Sequence, residues 1–99
     1  MSRITITKPD DWHIHLRDGD MLERTVNDVA AWANRAVVMP NLTPPVKNVS
    51  DATAYHSRIM AALADFPKFE PLMTLYLTDS TTPDDIAAAA QSNFVCGVK

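Results

Sequence analysis

The stretch Trp12-His13-Ile14-His15-Leu16-Arg17-Asp18-Gly19-Asp20 alternates apolar and polar side chains and then closes on a turn triplet. In an extended strand, successive side chains point to opposite faces. His13, His15 and Arg17 therefore share one face, and Trp12, Ile14 and Leu16 share the other. Two imidazoles on one strand face can reach a common cation, and imidazole suits zinc, iron and nickel. Two ligands do not complete a tetrahedral site, so further donors are required. The three-residue match alone equally describes two histidines on a half-exposed strand. Asp18-Gly19-Asp20 is turn chemistry and ends the strand. The polar face then sits at the strand's C-terminal end, where α/β proteins build their sites.

Working outward, Arg3-Ile4-Thr5-Ile6-Thr7 is alternating and β-branched, which predicts a short leading strand stopped by Pro9. Downstream, Met21 to Ala33 carries Leu22, Val26, Val29 and Ala30 at helical spacing, with Asp18 or Asp20 as cap. Ala36-Val37-Val38-Met39 is a continuous apolar run, as in a strand buried on both faces, and Pro40 ends it. Ser50 is a candidate N-cap for a helix running to about Asp65. Pro71 to Leu77 predicts a further strand. Thr82-Pro83-Asp84-Asp85 has the form of a helix start, and Phe94 to Lys99 predicts the last strand. Strand and helix thus alternate in units of about 30 residues, which implies a parallel sheet with right-handed crossovers. The fold class expected is α/β.

The chain has 99 residues, 46% hydrophobic and 21% charged, with a formal net charge of −3. No basic run offers a nucleic-acid surface. No apolar run approaches the roughly 20 residues of a membrane span, and no apolar leader opens the chain. The single cysteine, Cys96, cannot form an internal disulfide. These features fit a cytoplasmic protein, with neither nucleic acid nor membrane as partner.

Four further positions bear on chemistry. Arg17 is either a solvated strand-end residue or a bidentate clamp on a carboxylate or phosphate. Asn41 is either a turn residue or a second hydrogen-bonding group for the same anion. Lys99 closes an apolar strand. The ordinary reading is a snorkelling lysine. If its amine were desolvated, it would be nucleophilic enough to take up carbon dioxide as a carbamate, an anionic oxygen donor able to bridge two cations. Cys96 is expected to be a small buried residue and His56 a surface one. Tyr55 and Tyr76 carry no specific signal, and Trp12 and Trp32 are expected to pack.

Three blocks carry a family resemblance. Asp10 to Leu22 resembles the N-terminal signature of the dihydroorotases of the shorter bacterial type, within the amidohydrolase superfamily. Ala36 to Val46 resembles that family's second block and Pro71 to Asp79 a third. The resemblance implies the N-terminal portion of a (β/α)8 barrel, residues 1–99 forming part of a single domain that needs about 250 residues or more to close. It implies two zinc ions per subunit, with His13 and His15 as ligands of one and Lys99, as N6-carboxylysine, bridging both. It implies that Arg17 and Asn41, together with His15, hold the substrate. The implied activity is the reversible cyclisation of N-carbamoyl-L-aspartate to dihydroorotate in pyrimidine biosynthesis. In the hydrolytic direction, a metal-bridging hydroxide attacks the ring amide. A homodimer is also implied. The family's general-base aspartate and its remaining histidine ligands lie downstream, so residues 1–99 contain no general base and are expected to be inactive alone.

Two other readings remain. One is a related cyclic amidohydrolase of hydantoin or allantoin type, against which Arg17 and Asn41 argue because they imply a carboxylated substrate. The other is a non-catalytic relative, against which the intact His13, His15 and Lys99 argue.

Overall fold

Short apolar runs bounded by turn residues form the strands, and amphipathic segments between them form the helices. The computed structural model describes residues 2–99. Its elements are β1 (Asp11–Ile14), a 3-10 turn (Gly19–Met21), α1 (Leu22–Ala30), β2 (Arg35–Val38), α2 (Val49–Ala62), β3 (Glu70–Leu75), α3 (Pro83–Gln91) and β4 (Val95–Val98). The strands lie side by side in the order β1-β2-β3-β4, and every pair is parallel. A parallel neighbour requires a crossover, and each crossover here carries a helix.

The helices cover one face of the sheet. Ala36 and Val38 of β2 are in register with Pro71 and Met73 of β3, and all four are buried. Against this face pack Leu22, Val26 and Val29 of α1 and Ala52, Tyr55 and Ile59 of α2. Full burial of a side chain of this size is worth about 1.5–3 kcal/mol. Val37 and Leu72, one step along the pleat, point to the other face and are only half-buried. The expectation of burial on both faces is therefore corrected for β2, because no element among the described residues covers that second face.

Other expectations also shift. Residues 3–7 form no strand and are exposed, because no neighbouring strand pairs with them. The first contact of this arm with the sheet is at Pro9, whose carbonyl accepts from the Asn34 N–H at 2.8 Å. Neither Asp18 nor Asp20 caps α1: no side chain bonds the start of the 3-10 turn or of the helix that follows it. The α2 cap is Asn48, not Ser50, since its Oδ1 accepts from the Asp51 N–H at 2.9 Å. The α3 start is as predicted, with Thr82 and Asp85 capping each other reciprocally at 3.2 and 3.0 Å.

Trp12 and Trp32 are 60% and 48% exposed, so neither is a core residue. Trp12 instead lies 5.3 Å from the Arg35 guanidinium. Cys96 is exposed, because it stands on an edge strand. His56 is half-buried and stacked on Phe94 at 4.1 Å, and that burial lowers its pKa.

At the opposite end of the sheet from the strand C-termini, Arg35 grips Asp10 through Nη2 at 2.6 Å and Nε at 3.2 Å. This fork ties the residue before β1 to the first residue of β2. The hydrogen-bonded guanidinium holds the Asp10 carboxyl below the ordinary carboxylate range. The resulting stabilisation is present above the unfolded-state value of about 3.9 and is lost as pH falls through the lower folded-state value. Asp10→Asn in the full-length protein should therefore be less stable than wild type at pH 7. The two urea midpoints should converge below about pH 4. A difference that persists unchanged to pH 2 would contradict this.

Candidate active site at the strand ends

A parallel sheet places all its strand C-termini on one edge. The residues just beyond those ends meet there. Pairing continues past the strands: the Met39 N–H donates to Ile14 O at 2.9 Å, and the Lys99 N–H donates to Leu75 O at 2.7 Å. Lys99 is thus held in register although it lies beyond β4. The loop after β2 is also fixed. The Val46 N–H donates to Pro40 O at 3.1 Å, and the Tyr76 N–H donates to Val46 O at 2.7 Å. That loop carries Asn41 and contains a cis Thr43–Pro44 bond.

His13 and His15 come together as expected. Their Nε2 atoms are 3.2 Å apart, with ring centroids 5.2 Å apart. Zinc–nitrogen bonds of about 2.0–2.1 Å at a tetrahedral angle place two ligand nitrogens about 3.3 Å apart. The 3.2 Å separation is close to that value and equally fits an N–H···N hydrogen bond between the two rings. His13 is exposed and His15 half-buried. Burial, then the positive charges of Arg17, Lys99 and His13, hold the His15 imidazole below its ordinary pKa. A neutral imidazole is the form that binds metal. Among the described residues, no group of three or more His, Cys, Asp or Glu side chains could hold a metal. A cation on this pair needs a donor of another type or from elsewhere.

Lys99 is the candidate for that further donor. It is exposed, so the described residues do not desolvate its amine. Its neighbour on one side is β3, and its other edge has no partner strand among the described residues. Its Nζ donates to Asn41 Oδ1 at 2.7 Å, which links the end of β4 to the loop after β2.

Asn41 and Arg17 line one cleft of about 790 Å³, between the turn after β1 and the loop after β2. Asp18, Lys47 and Arg58 also border it, whereas His13, His15 and Lys99 do not. Asn41 is the residue common to the cleft and to the Lys99 contact. The site thus has two adjoining parts, a histidine pair and a charged cleft in which Arg17, Lys47 and Arg58 face the Asp18 and Asp51 carboxylates.

Arg17 reaches the cleft by a route that strand alternation does not describe. β1 ends at Ile14, and Arg17 adopts a left-handed backbone with φ +62°. A non-glycine residue there is uncommon, with a cost on the order of 1–2 kcal/mol. Gly19, at φ +63°, completes the turn without that penalty. Three consecutive residues of the turn are tied down. Thr25 Oγ1 donates to Leu16 O at 2.6 Å, the Tyr55 hydroxyl donates to Arg17 O, and Arg58 forks onto the Asp18 carboxylate at 3.1 and 2.9 Å. This is why Asp18 does not cap α1.

Tyr55 is the functional neighbour that sequence reasoning passed over. Its side chain is fully buried, and burial together with the nearby Asp18 carboxylate raises its pKa, so it remains a donor. Its place in the Ala52-Tyr55-Ile59 stripe gave the signal, since a buried phenol needs a hydrogen-bond partner.

No protein-family model matches the chain. Curated relatives match it closely. The dihydroorotase of Picosynechococcus sp. is 57% identical over 99 residues, covering 100% of this chain and 29% of the relative. That of Cupriavidus taiwanensis is 60% identical over 97 residues, covering 98% and 28%. The chain therefore spans under a third of the length of these relatives. Among solved structures, the dihydroorotase of Campylobacter jejuni superimposes with a TM-score of 0.81 at 37% identity, covering 92% of this chain and 26% of that one. The Saccharomyces cerevisiae dihydroorotase in complex with 5-fluoroorotic acid gives 0.81 at 33% identity, over 91% and 24%. By sequence and by fold together, the chain matches the N-terminal segment of the dihydroorotases.

Proposed function

We propose that the full-length protein carrying this chain is a zinc-dependent dihydroorotase, interconverting N-carbamoyl-L-aspartate and dihydroorotate in pyrimidine biosynthesis. The observation that carries the reading is the 3.2 Å approach of the His13 and His15 Nε2 atoms beside a cleft lined by Arg17 and Asn41. It joins a metal-type chelate to an anion-type pocket, which is what hydrolysis of a carboxylated cyclic amide needs.

In this reading, His13 and His15 hold one zinc ion. Lys99, as the carbamate its ammonium would form with carbon dioxide on loss of two protons, would supply an anionic oxygen donor to the metal site. When bound, the cations supply Lewis acidity and a water-derived nucleophile at neutral pH. The chain's own residues bind and orient. Arg17 takes the substrate carboxylate through its two-pronged guanidinium, Asn41 adds an amide donor, and His15 adjoins the same substrate. In the hydrolytic direction, water adds to the ring amide and its C–N bond breaks. The released nitrogen gains a proton to give N-carbamoyl-L-aspartate. The general base that moves the proton is expected on a later strand. Arg17 and Asn41 favour dihydroorotate over an uncharged hydantoin, because a guanidinium without an anionic partner gains little. A cytoplasmic homodimer is part of the proposal.

The primary test is turnover in both directions by the zinc-loaded full-length protein, alongside a native mass of the Lys99 peptide. Turnover together with an added mass of about 44 Da supports the proposal, since a carbamate is the metal-bridging oxygen donor it requires. Loss of both with zinc and bicarbonate supplied rejects it. His13→Ala and His15→Ala should each lower bound zinc. Each should reduce kcat by more than about a hundredfold, beyond the 10–100-fold typical of residues that merely orient ligands. Full zinc content in both variants would remove the histidine pair from the metal site. Arg17→Ala should raise KM for dihydroorotate at least about tenfold, as loss of a charge-assisted fork predicts. An unchanged KM would remove Arg17 from substrate binding.

A further inference from the structure

Two side chains of α2 reach the turn that carries Arg17, and neither belongs to the metal pair or to the substrate contacts proposed above. The Tyr55 hydroxyl donates to the Arg17 carbonyl. Arg58 occupies both oxygens of the Asp18 carboxylate, Nε to Oδ1 at 3.1 Å and Nη2 to Oδ2 at 2.9 Å. The Arg58 guanidinium also lies 5.3 Å from the centre of the Tyr55 ring, so the two side chains pack as a unit. Their targets are adjacent residues in a turn whose first member has φ +62°.

Two physical consequences follow. A left-handed arginine persists only where its surroundings over-determine it, and these contacts are two of the three ties on the turn. The other is Thr25, which acts one residue earlier, on Leu16. In addition, two carboxylates line the cleft with Arg17: Asp51, whose Oδ2 accepts from the Lys47 N–H at 3.1 Å, and Asp18, adjacent to Arg17 in sequence. With Asp18 engaged by Arg58, Arg17 has no ion-pair partner among the described residues. A guanidinium recognises a carboxylate through a directional fork, so both its aim and its freedom from a competing carboxylate matter.

We infer that Tyr55 and Arg58 are positioning residues for Arg17. They fix its left-handed backbone and sequester Asp18, so that the guanidinium faces the cleft free to take an anionic ligand. The inference rests on the proposed role of Arg17 in holding the substrate carboxylate.

The test uses the full-length zinc-loaded protein with Tyr55→Phe, Arg58→Gln, Arg58→Lys and Arg17→Ala. KM and kcat are measured for dihydroorotate, the dissociation constant for 5-fluoroorotate by calorimetry, and the folded fraction by thermal unfolding. Tyr55→Phe keeps the buried ring and removes only the donor. It should raise KM and weaken 5-fluoroorotate binding about tenfold, with kcat changed less than about threefold. Arg58→Gln should act in the same direction. Arg58→Lys, which keeps the charge without the fork, should fall between Arg58→Gln and wild type. A purely structural role would instead lower the active fraction, and hence kcat, at constant KM. If Arg17→Ala raises KM while Tyr55→Phe and Arg58→Gln leave it unchanged, the inference is wrong and the proposed function stands. If Arg17→Ala itself leaves KM unchanged, the role of Arg17 fails first and the inference with it. Should Tyr55→Phe not fold, Arg58→Gln decides, since its pair with Asp18 is partly exposed and contributes little to stability.

Discussion

Parallel strand pairing is the constraint from which the rest of this structure follows. A strand paired in parallel must be re-entered from the same end, so the chain returns through a helix before each new strand. The four C-terminal ends then lie on one edge by geometry, not by any attraction among the residues there. His15, Asn41 and Lys99 are separated by 26 and 58 positions in sequence terms, the first counted from 15 to 41 and the second from 41 to 99. They become neighbours because each follows a strand. The ladder bonds that run on to Met39 and Lys99 keep this edge ordered beyond the regular strands.

The helices do more than cover one face. α2 presents Ile59 and Ala52 to the core, and from the same stretch it sends Tyr55 and Arg58 to the turn after β1. Burying an apolar stripe thereby locates two polar groups at the site edge. Tyr55 serves both purposes, with its ring in the core and its hydroxyl on a backbone carbonyl. The Arg35–Asp10 fork ties β1 to β2 at the far end of the sheet, and at the site end Tyr55 and Arg58 tie the 17–18 turn to α2. The first strand is only Asp11–Ile14, and these ties hold the chain at both of its ends.

Much of this was legible in the chain. Alternation of apolar runs with amphipathic segments predicts the four strands and three helices, and Thr82-Pro83 marks the start of α3. The His13–His15 pairing follows from their spacing. What sequence could not supply was long-range in origin. Residues 3–7 have strand composition but no partner strand among the described residues, and propensity without pairing does not make a strand. Asp18 reads as a cap until Arg58, forty positions away, is seen to hold it. Lys99 reads as a candidate buried amine, but its burial depends on what lies beside β4. The left-handed backbone at Arg17 falls on a residue that is not glycine, and its partners Tyr55 and Arg58 come from another helix.

The electrostatics of the strand ends link the two halves of the proposed site. Every charge that acts on His15 is positive, from Arg17, Lys99 and His13. With Lys99 as an ammonium, a dication on the histidine pair meets like charge. Conversion of that amine to a carbamate changes its charge by two units and turns repulsion into attraction. Metal loading and carbamylation therefore favour each other, and neither is expected to be complete alone. The same conversion removes the ammonium that now donates to Asn41. Asn41 would then be released toward the cleft it already lines, where Arg17 lies opposite an anionic ligand. Under the proposed function, the state of Lys99 would bear on both the metal affinity of the histidine pair and the hydrogen bonding of Asn41 at the cleft.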